Sequence, residues 1–177
     1  NRAVLASFDE ATAYLLANIP TNKQTIFNVR NGEKFKHGLG LNIEQALNDQ
    51  VGVFFRGMKS DGKTETYAFT EVDSSLSAGV LIKGNNWGRA QDTIGLSLMA
   101  NYLSPERRRF LELGGISFFI GDGQLQYKPE TIFEGFYNWN VAKGFWLTGD
   151  YQRIQNPAYN ASRGPVNVFA LRMHAEF

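Results

Sequence analysis

The last ten residues, Val168-Phe169-Ala170-Leu171-Arg172-Met173-His174-Ala175-Glu176-Phe177, divide cleanly between two faces. Phe169, Leu171, Met173, Ala175 and Phe177 fall on one; Val168, Ala170, Arg172, His174 and Glu176 fall on the other, where three of five are ionisable. Successive side chains of a strand point to opposite sides, so this is a strand between an apolar medium and water. The apolar medium is either lipid or a protein core.

The same period of two recurs upstream. It predicts seven strands, near residues 38–47, 51–59, 75–84, 92–102, 130–141, 145–155 and 165–177. Leu147, Gly149 and Tyr151 alternate with Thr148, Asp150 and Gln152. Phe133, Gly135, Tyr137, Trp139 and Val141 alternate with Glu134, Phe136, Asn138 and Asn140. Val51, Val53 and Phe55 oppose Phe54 and Arg56, and Leu39, Leu41 and Ile43 oppose Gly40, Asn42 and Glu44. Leu76, Ala78, Val80 and Ile82 oppose Ser77, Gly79, Leu81 and Lys83, and Ile94, Leu96 and Leu98 oppose Gly95, Ser97 and Met99.

The connections alternate in length. Residues 48–50, 85–91 and 142–144 are short; 59–74 and 102–129 are long, and 156–164 is intermediate. Short turns on one rim and long loops on the other are the pattern of an outer-membrane barrel, with the short turns periplasmic. Aromatics gather near strand ends: Trp87, Trp139, Phe145, Trp146 and Phe177 towards the short-turn rim, and Tyr102, Tyr127, Tyr151 and Tyr159 towards the other. Two such girdles suit the two membrane–water interfaces. Composition alone leaves a soluble β-sandwich, with these rings in its core, equally open.

Before the strands, Leu5, Phe8, Leu15 and Leu16 recur at helical spacing between Val4 and Ala17, and Pro20 is a stop. Residues 1–35 thus read as a helix and loop segment, and 36–177 as barrel. A second short helix is expected in a long loop: Ser104 is a good N-cap, Pro105 suits the first helical position, and Gly114 suits the stop. Its run Arg107-Arg108-Arg109 would face the lumen mouth, lipopolysaccharide phosphates or bulk water. Phe118-Phe119-Ile120 would need burial, as in a segment folded inwards to constrict the barrel.

The 177 residues carry a net charge of +1, too little basic excess for nucleic-acid binding. Cysteine is absent, and a barrel closed by its own hydrogen bonds needs no disulfides. No signal peptide or long apolar helix is visible, and barrel strands escape hydropathy averaging. Because bacterial barrels take an even number of strands from eight upwards, seven suggest a partial barrel whose N-terminal half lies elsewhere.

Several segments resemble the carbohydrate-selective, OprB-type porins. They are Gly38-Leu-Gly-Leu-Asn-Ile-Glu-Gln45, Asp61-Gly-Lys-Thr-Glu-Thr66, Ala68-Phe-Thr-Glu71, Trp87-Gly-Arg89 and Phe118-Phe-Ile-Gly-Asp-Gly123. Asn156-Pro-Ala-Tyr-Asn160, Arg163-Gly-Pro-Val166 and the terminal Arg172-Met-His-Ala-Glu-Phe177 complete the set, which spans residues 36–177 in order. The resemblance implies an antiparallel transmembrane β-barrel of about sixteen strands. It also implies short helices in extracellular loops and uptake of small sugars. Phe177 resembles the signal read by the barrel assembly machinery. Outer-membrane lipid and lipopolysaccharide would surround such a barrel, and a homo-oligomer would be in keeping with other porins.

The residues carry no cofactor motif, and two histidines, His37 and His174, far apart in sequence make no dedicated metal site. A hydrolytic triad through Asp150 and His174 lacks a serine. Glu134 and Asp150 as a glycosidase pair would sit in a wet channel. The inward charges instead read as a mixed-sign pore lining: Glu44, Arg56, Lys83, Glu134, Asp150, Arg172 and Glu176. Guanidinium groups donate to sugar oxygens and carboxylates accept from sugar hydroxyls. Phe54, Phe136 and Trp146 offer faces on which a pyranose can stack. A general or inorganic-ion porin on the same scaffold and a soluble carbohydrate-binding β-sandwich are the rival readings.

Overall fold

The computed structural model describes residues 2–17, 25–66 and 70–177. The chain opens with β1 (Arg2–Val4), α1 (Phe8–Ala17), a 3-10 turn at Ile26–Val29 and β2 (Glu33–Phe35). The seven long strands follow: β3 (Gly38–Ala46), β4 (Val51–Ser60), β5 (Ser74–Gly84), β6 (Arg89–Tyr102), β7 (Glu130–Ala142), β8 (Phe145–Gln155) and β9 (Val166–Ala175). Each pairs antiparallel with the next, giving one sheet ordered β3-β4-β5-β6-β7-β8-β9. All seven expected strands are present. β6 starts three residues before its predicted start, because the turn ahead of it is a 3-10 helix at Asn85–Trp87 rather than open loop.

Local chemistry closes the short-turn rim. Asn48 Oδ1 accepts from the amides of Gln50 (2.8 Å) and Val51 (2.9 Å), an Asx turn between β3 and β4. Lys143-Gly144 joins β7 to β8 with Gly144 at φ +74°, a conformation that only glycine adopts cheaply. The long connections, residues 61–73, 103–129 and 156–165, all leave the opposite rim. Within one of them lies α2 (Pro105–Glu112), capped as expected: the Ser104 hydroxyl accepts from the Arg107 amide, and Gly114 follows at φ +95°.

The buried apolar core lies among these loops, outside the sheet. It comprises Ala6, Phe8, Ala11, Leu15, Ile26, Leu103, Phe110, Leu111 and Tyr159. α1 packs on α2, with the Phe8 and Phe110 ring centroids 5.9 Å apart. α1 begins later than the apolar spacing suggests, because Val4 is taken into β1, which pairs with β2. Leu16 points to solvent, and Pro20 lies outside the described residues.

The arginine run resolves into different environments. Arg107 is fully buried, with Nη1 3.1 Å from Glu71 Oε2 and Nη2 3.0 Å from Asp73 Oδ1. Its guanidinium lies 4.7 Å from the Phe8 ring centroid. Asp73 also accepts from the Ser104 amide, and Glu71 from the amides of Phe119 and Ile120. The expectation that this arginine faces the lumen mouth, lipopolysaccharide or bulk water is therefore overturned: it is the tie between two long loops. Arg108 stacks on Tyr127 at 4.1 Å. Tyr159 belongs to the loop core rather than to a lipid-facing girdle, and its hydroxyl donates to the Glu71 carbonyl at 2.8 Å. Burial raises its pKa well above that of a free tyrosine and keeps it protonated. Phe118 and Phe119 stay exposed, edge to face with each other, and only Ile120 packs on the core.

A second buried carboxylate, Glu65, accepts from the Ala6 amide at 2.8 Å and from Arg30 Nε and Nη2 at 2.6 and 2.8 Å. It fastens the N-terminal segment to the 61–73 loop. At the surface, Arg163 holds the Asp122 carboxyl below the usual carboxylate range across 2.6 Å. That contact stabilises the loops above the ordinary aspartate pKa and is lost as pH falls through the lower folded value.

Replacing Arg107 with alanine leaves Glu71 and Asp73 buried without their cation, which costs about 3–5 kcal/mol. The loss falls on the loops, not on the strand ladder. The expected outcome is proteolytic nicking within residues 61–73 or 103–129 under conditions that spare the wild type. The heat-modifiable barrel band on gels should persist; its disappearance would mean that the network also supports the sheet.

Candidate functional site

Residues directly opposite one another across a ladder share a face, so the register maps each candidate onto the sheet. Glu44 pairs with Phe54, Phe54 with Gly79, Gly79 with Ser97, Ser97 with Glu134, and Glu134 with Gln152. The adjacent row runs Gly52, Leu81, Gly95, Phe136 and Asp150. The next runs Lys83, Thr93, Asn138, Thr148 and Arg172. Arg56 pairs with Asn42 and Ser77, and Trp146 with Asn140 and His174; Glu176 lies two residues beyond His174. All ten candidates, from Glu44 to Glu176, therefore share one face of one sheet.

Two clusters form on that face. In the first, Arg56 donates to Asn42 Oδ1 and to Glu44 Oε1, each at 2.9 Å. Its guanidinium lies 5.0 Å from the Phe54 ring centroid. The arginine is thus oriented by an amide, a carboxylate and a ring, and keeps donors free towards the water side. In the second, Arg172 Nη2 is 3.9 Å from Asp150 Oδ2, with Glu134 diagonally across the ladder from Asp150. Asp150 is only 7% exposed and its Oδ2 has no hydrogen-bond partner. Trp146 and His174 rings lie 5.5 Å apart, and His174 Nε2 is 3.0 Å from Glu176 Oε1. Lys83 sits in the row of Thr93 and Asn138, away from both clusters.

Two aromatics are pressed flat by glycines opposite them. A methyl group at Gly95 would sit 2.1 Å from the Phe136 ring, and one at Gly79 would sit 2.4 Å from Phe54. Each ring lies over its cross-strand glycine, along the wall instead of across the space beyond it. Glycines 79 and 95, with Asn42 and His174, are members of the site that alternation did not single out. Their partners become visible only once the register is known.

The opposite face is apolar and bare. Leu98, Phe169, Leu171 and Met173 are each more than 60% exposed. No second sheet covers them among the described residues, as a sandwich would require. The triad alternative also loses its geometry. Asp150 and His174 lie on adjacent strands and one face, but His174 pairs with Trp146, four residues from Asp150 along β8. That separation is roughly 13 Å.

A family model matches residues 4–177, and its description is carbohydrate-selective porin, OprB family. The chain belongs to this family. Comparison with curated protein sequences gave no match. Among solved structures, the high-pH structure of Pseudomonas putida OprB is similar, with a TM-score of 0.67 at 19% identity. The likeness covers 80% of this chain and 36% of that porin, so the chain spans about a third of its length. At that identity the likeness concerns the fold: the seven strands form an arc of an OprB-type barrel. In such a barrel the charged face lines the interior and the apolar face meets lipid.

Substituting Gly95 with alanine should lift the Phe136 ring off the wall and narrow the lumen. Single-channel conductance of the full-length porin should fall, and Phe136→Ala should raise it. Equal conductance in all three proteins would show that this part of the wall lies clear of the narrowest section.

Proposed function

We propose that the protein is an outer-membrane porin through which small sugars diffuse passively, without covalent chemistry. The observation that carries this reading is the Arg56–Asn42–Glu44–Phe54 cluster, in a chain of the carbohydrate-selective porin family. A sugar presents hydroxyls that donate and accept and an apolar ring face. The cluster answers these with a guanidinium, an amide, a carboxylate and an aromatic wall. The contacts are distributed and mixed in sign, which suits passage: binding must be weak and repeated for solute to leave.

The short turns are assigned to the periplasm and the long loops to the exterior. Phe177, fully exposed at the short-turn rim, serves in this reading as the handle for the barrel assembly machinery. Among the described residues the outer edges of β3 and β9 carry no partner strand, and in this reading further strands join them before the sheet sits in lipid.

The test is single-channel recording of the full-length porin with glucose, maltose and an uncharged non-sugar of similar size. Sugars should interrupt the open-channel current and the control should not. Arg56→Gln should weaken that block by about tenfold, as expected for loss of one charge-assisted contact. Steady current with every solute would favour the general or ion porin instead.

A further inference from the structure

The apolar face is not uniform. A groove of about 500 Å³ crosses it from β4 to β8. Ala78 and Ala100 give it depth between the larger Phe55, Leu98 and Phe133. It ends at Arg153. On the lipid side of β8 the sequence runs Leu147, Gly149, Tyr151, then Arg153, the first charge on that face and two residues short of the strand end at the long-loop rim. Its cross-strand neighbours are Phe133 and Asn167. Just below it, the Tyr151 ring meets Phe133 at 6.3 Å and Phe169 at 5.1 Å, an aromatic belt marking the edge of the hydrocarbon.

Arg153 has no carboxylate partner among the described residues. Its hydrogen bond is to Asn167 Oδ1 at 3.5 Å. An outward cation without a counter-charge, at the end of an apolar groove and at the level of the lipid headgroups, has a specific complement: an amphiphile with an acyl chain and an anionic head. The long-loop rim faces the outer leaflet in the orientation proposed above, on which this inference rests. We propose that the groove seats one acyl chain of lipid A and that Arg153 binds a lipid A phosphate. Guanidinium and phosphate match in a two-pronged geometry, and the attraction is stronger at the low-dielectric boundary than in water. The chain supplies dispersion contacts along Ala78 and Ala100, where a flat wall of large side chains would leave no seat.

The test titrates the full-length porin in detergent micelles with lipid A and with lipid A stripped of both phosphates. Native mass spectrometry reads the bound fraction for wild type, Arg153→Gln, Arg153→Lys and the groove-filling Ala100→Trp. The wild type should prefer the phosphorylated lipid by about tenfold. Arg153→Gln should abolish that preference, Arg153→Lys restore part of it, and Ala100→Trp weaken both lipids. Equal binding of both lipids by the wild type, or wild-type affinity in Arg153→Gln and Ala100→Trp, would overturn the proposal. Conductance, recorded on the same four proteins, separates this outcome from failure of the porin reading: channels that open normally with no lipid preference count against the groove alone.

Discussion

Every backbone N–H and C=O that enters hydrocarbon must find a partner within the protein, because lipid offers none. The ladder from β3 to β9 meets that demand strand by strand, and the rest of the structure follows from it. Continuous pairing fixes the register, and register fixes which side chains share a face. A slip of one residue would carry Asp150 and Arg172 into lipid and Leu147 and Leu171 into water. The charged face and the apolar face are therefore one decision made by the backbone.

The constraint also explains where the compact part of the molecule lies. A strand with lipid on one side and water on the other has no interior of its own. The core is assembled instead at the loop rim, where α1, α2 and the three long connections are exposed to water and can bury apolar groups against one another. Arg107, Glu71, Asp73 and Glu65, all buried, lock those connections together through ion pairs, with the partly exposed Arg30 closing on Glu65. Below them the lining is built differently. Most of its charges stay open, and the rings of Phe54 and Phe136 lie flat over Gly79 and Gly95, so the face offers many modest contacts.

What the sequence discloses follows the same physics. All seven strands and both kinds of connection are legible because two immiscible surroundings impose a period of two on every membrane segment. Ser104, Pro105 and Gly114 announce α2, since caps are local chemistry. The ten lining candidates share their face because parity alone places them. The β1–β2 ribbon is not legible: three residues per strand cannot establish a period. Nor is the burial of Arg107, whose partners Glu71 and Asp73 lie more than thirty residues away. Tyr159 sits beyond the end of β8, where a lipid-facing girdle would place an aromatic, yet it turns into the loop core because Asn156 and Ala158 take left-handed backbone and bend the chain over.

The most direct test of this account is a spin-label scan along β8 in lipid vesicles. The chain has no cysteine of its own, so single cysteines at residues 147 to 152 can carry the label. Labels at Thr148, Asp150 and Gln152 should collide with a water-soluble nickel complex, and labels at Leu147, Gly149 and Tyr151 with oxygen dissolved in the bilayer. The two profiles should oscillate out of phase with a period of two. Profiles without that alternation, or with nickel access at the odd positions, would contradict the assignment of the charged face to a water-filled lumen.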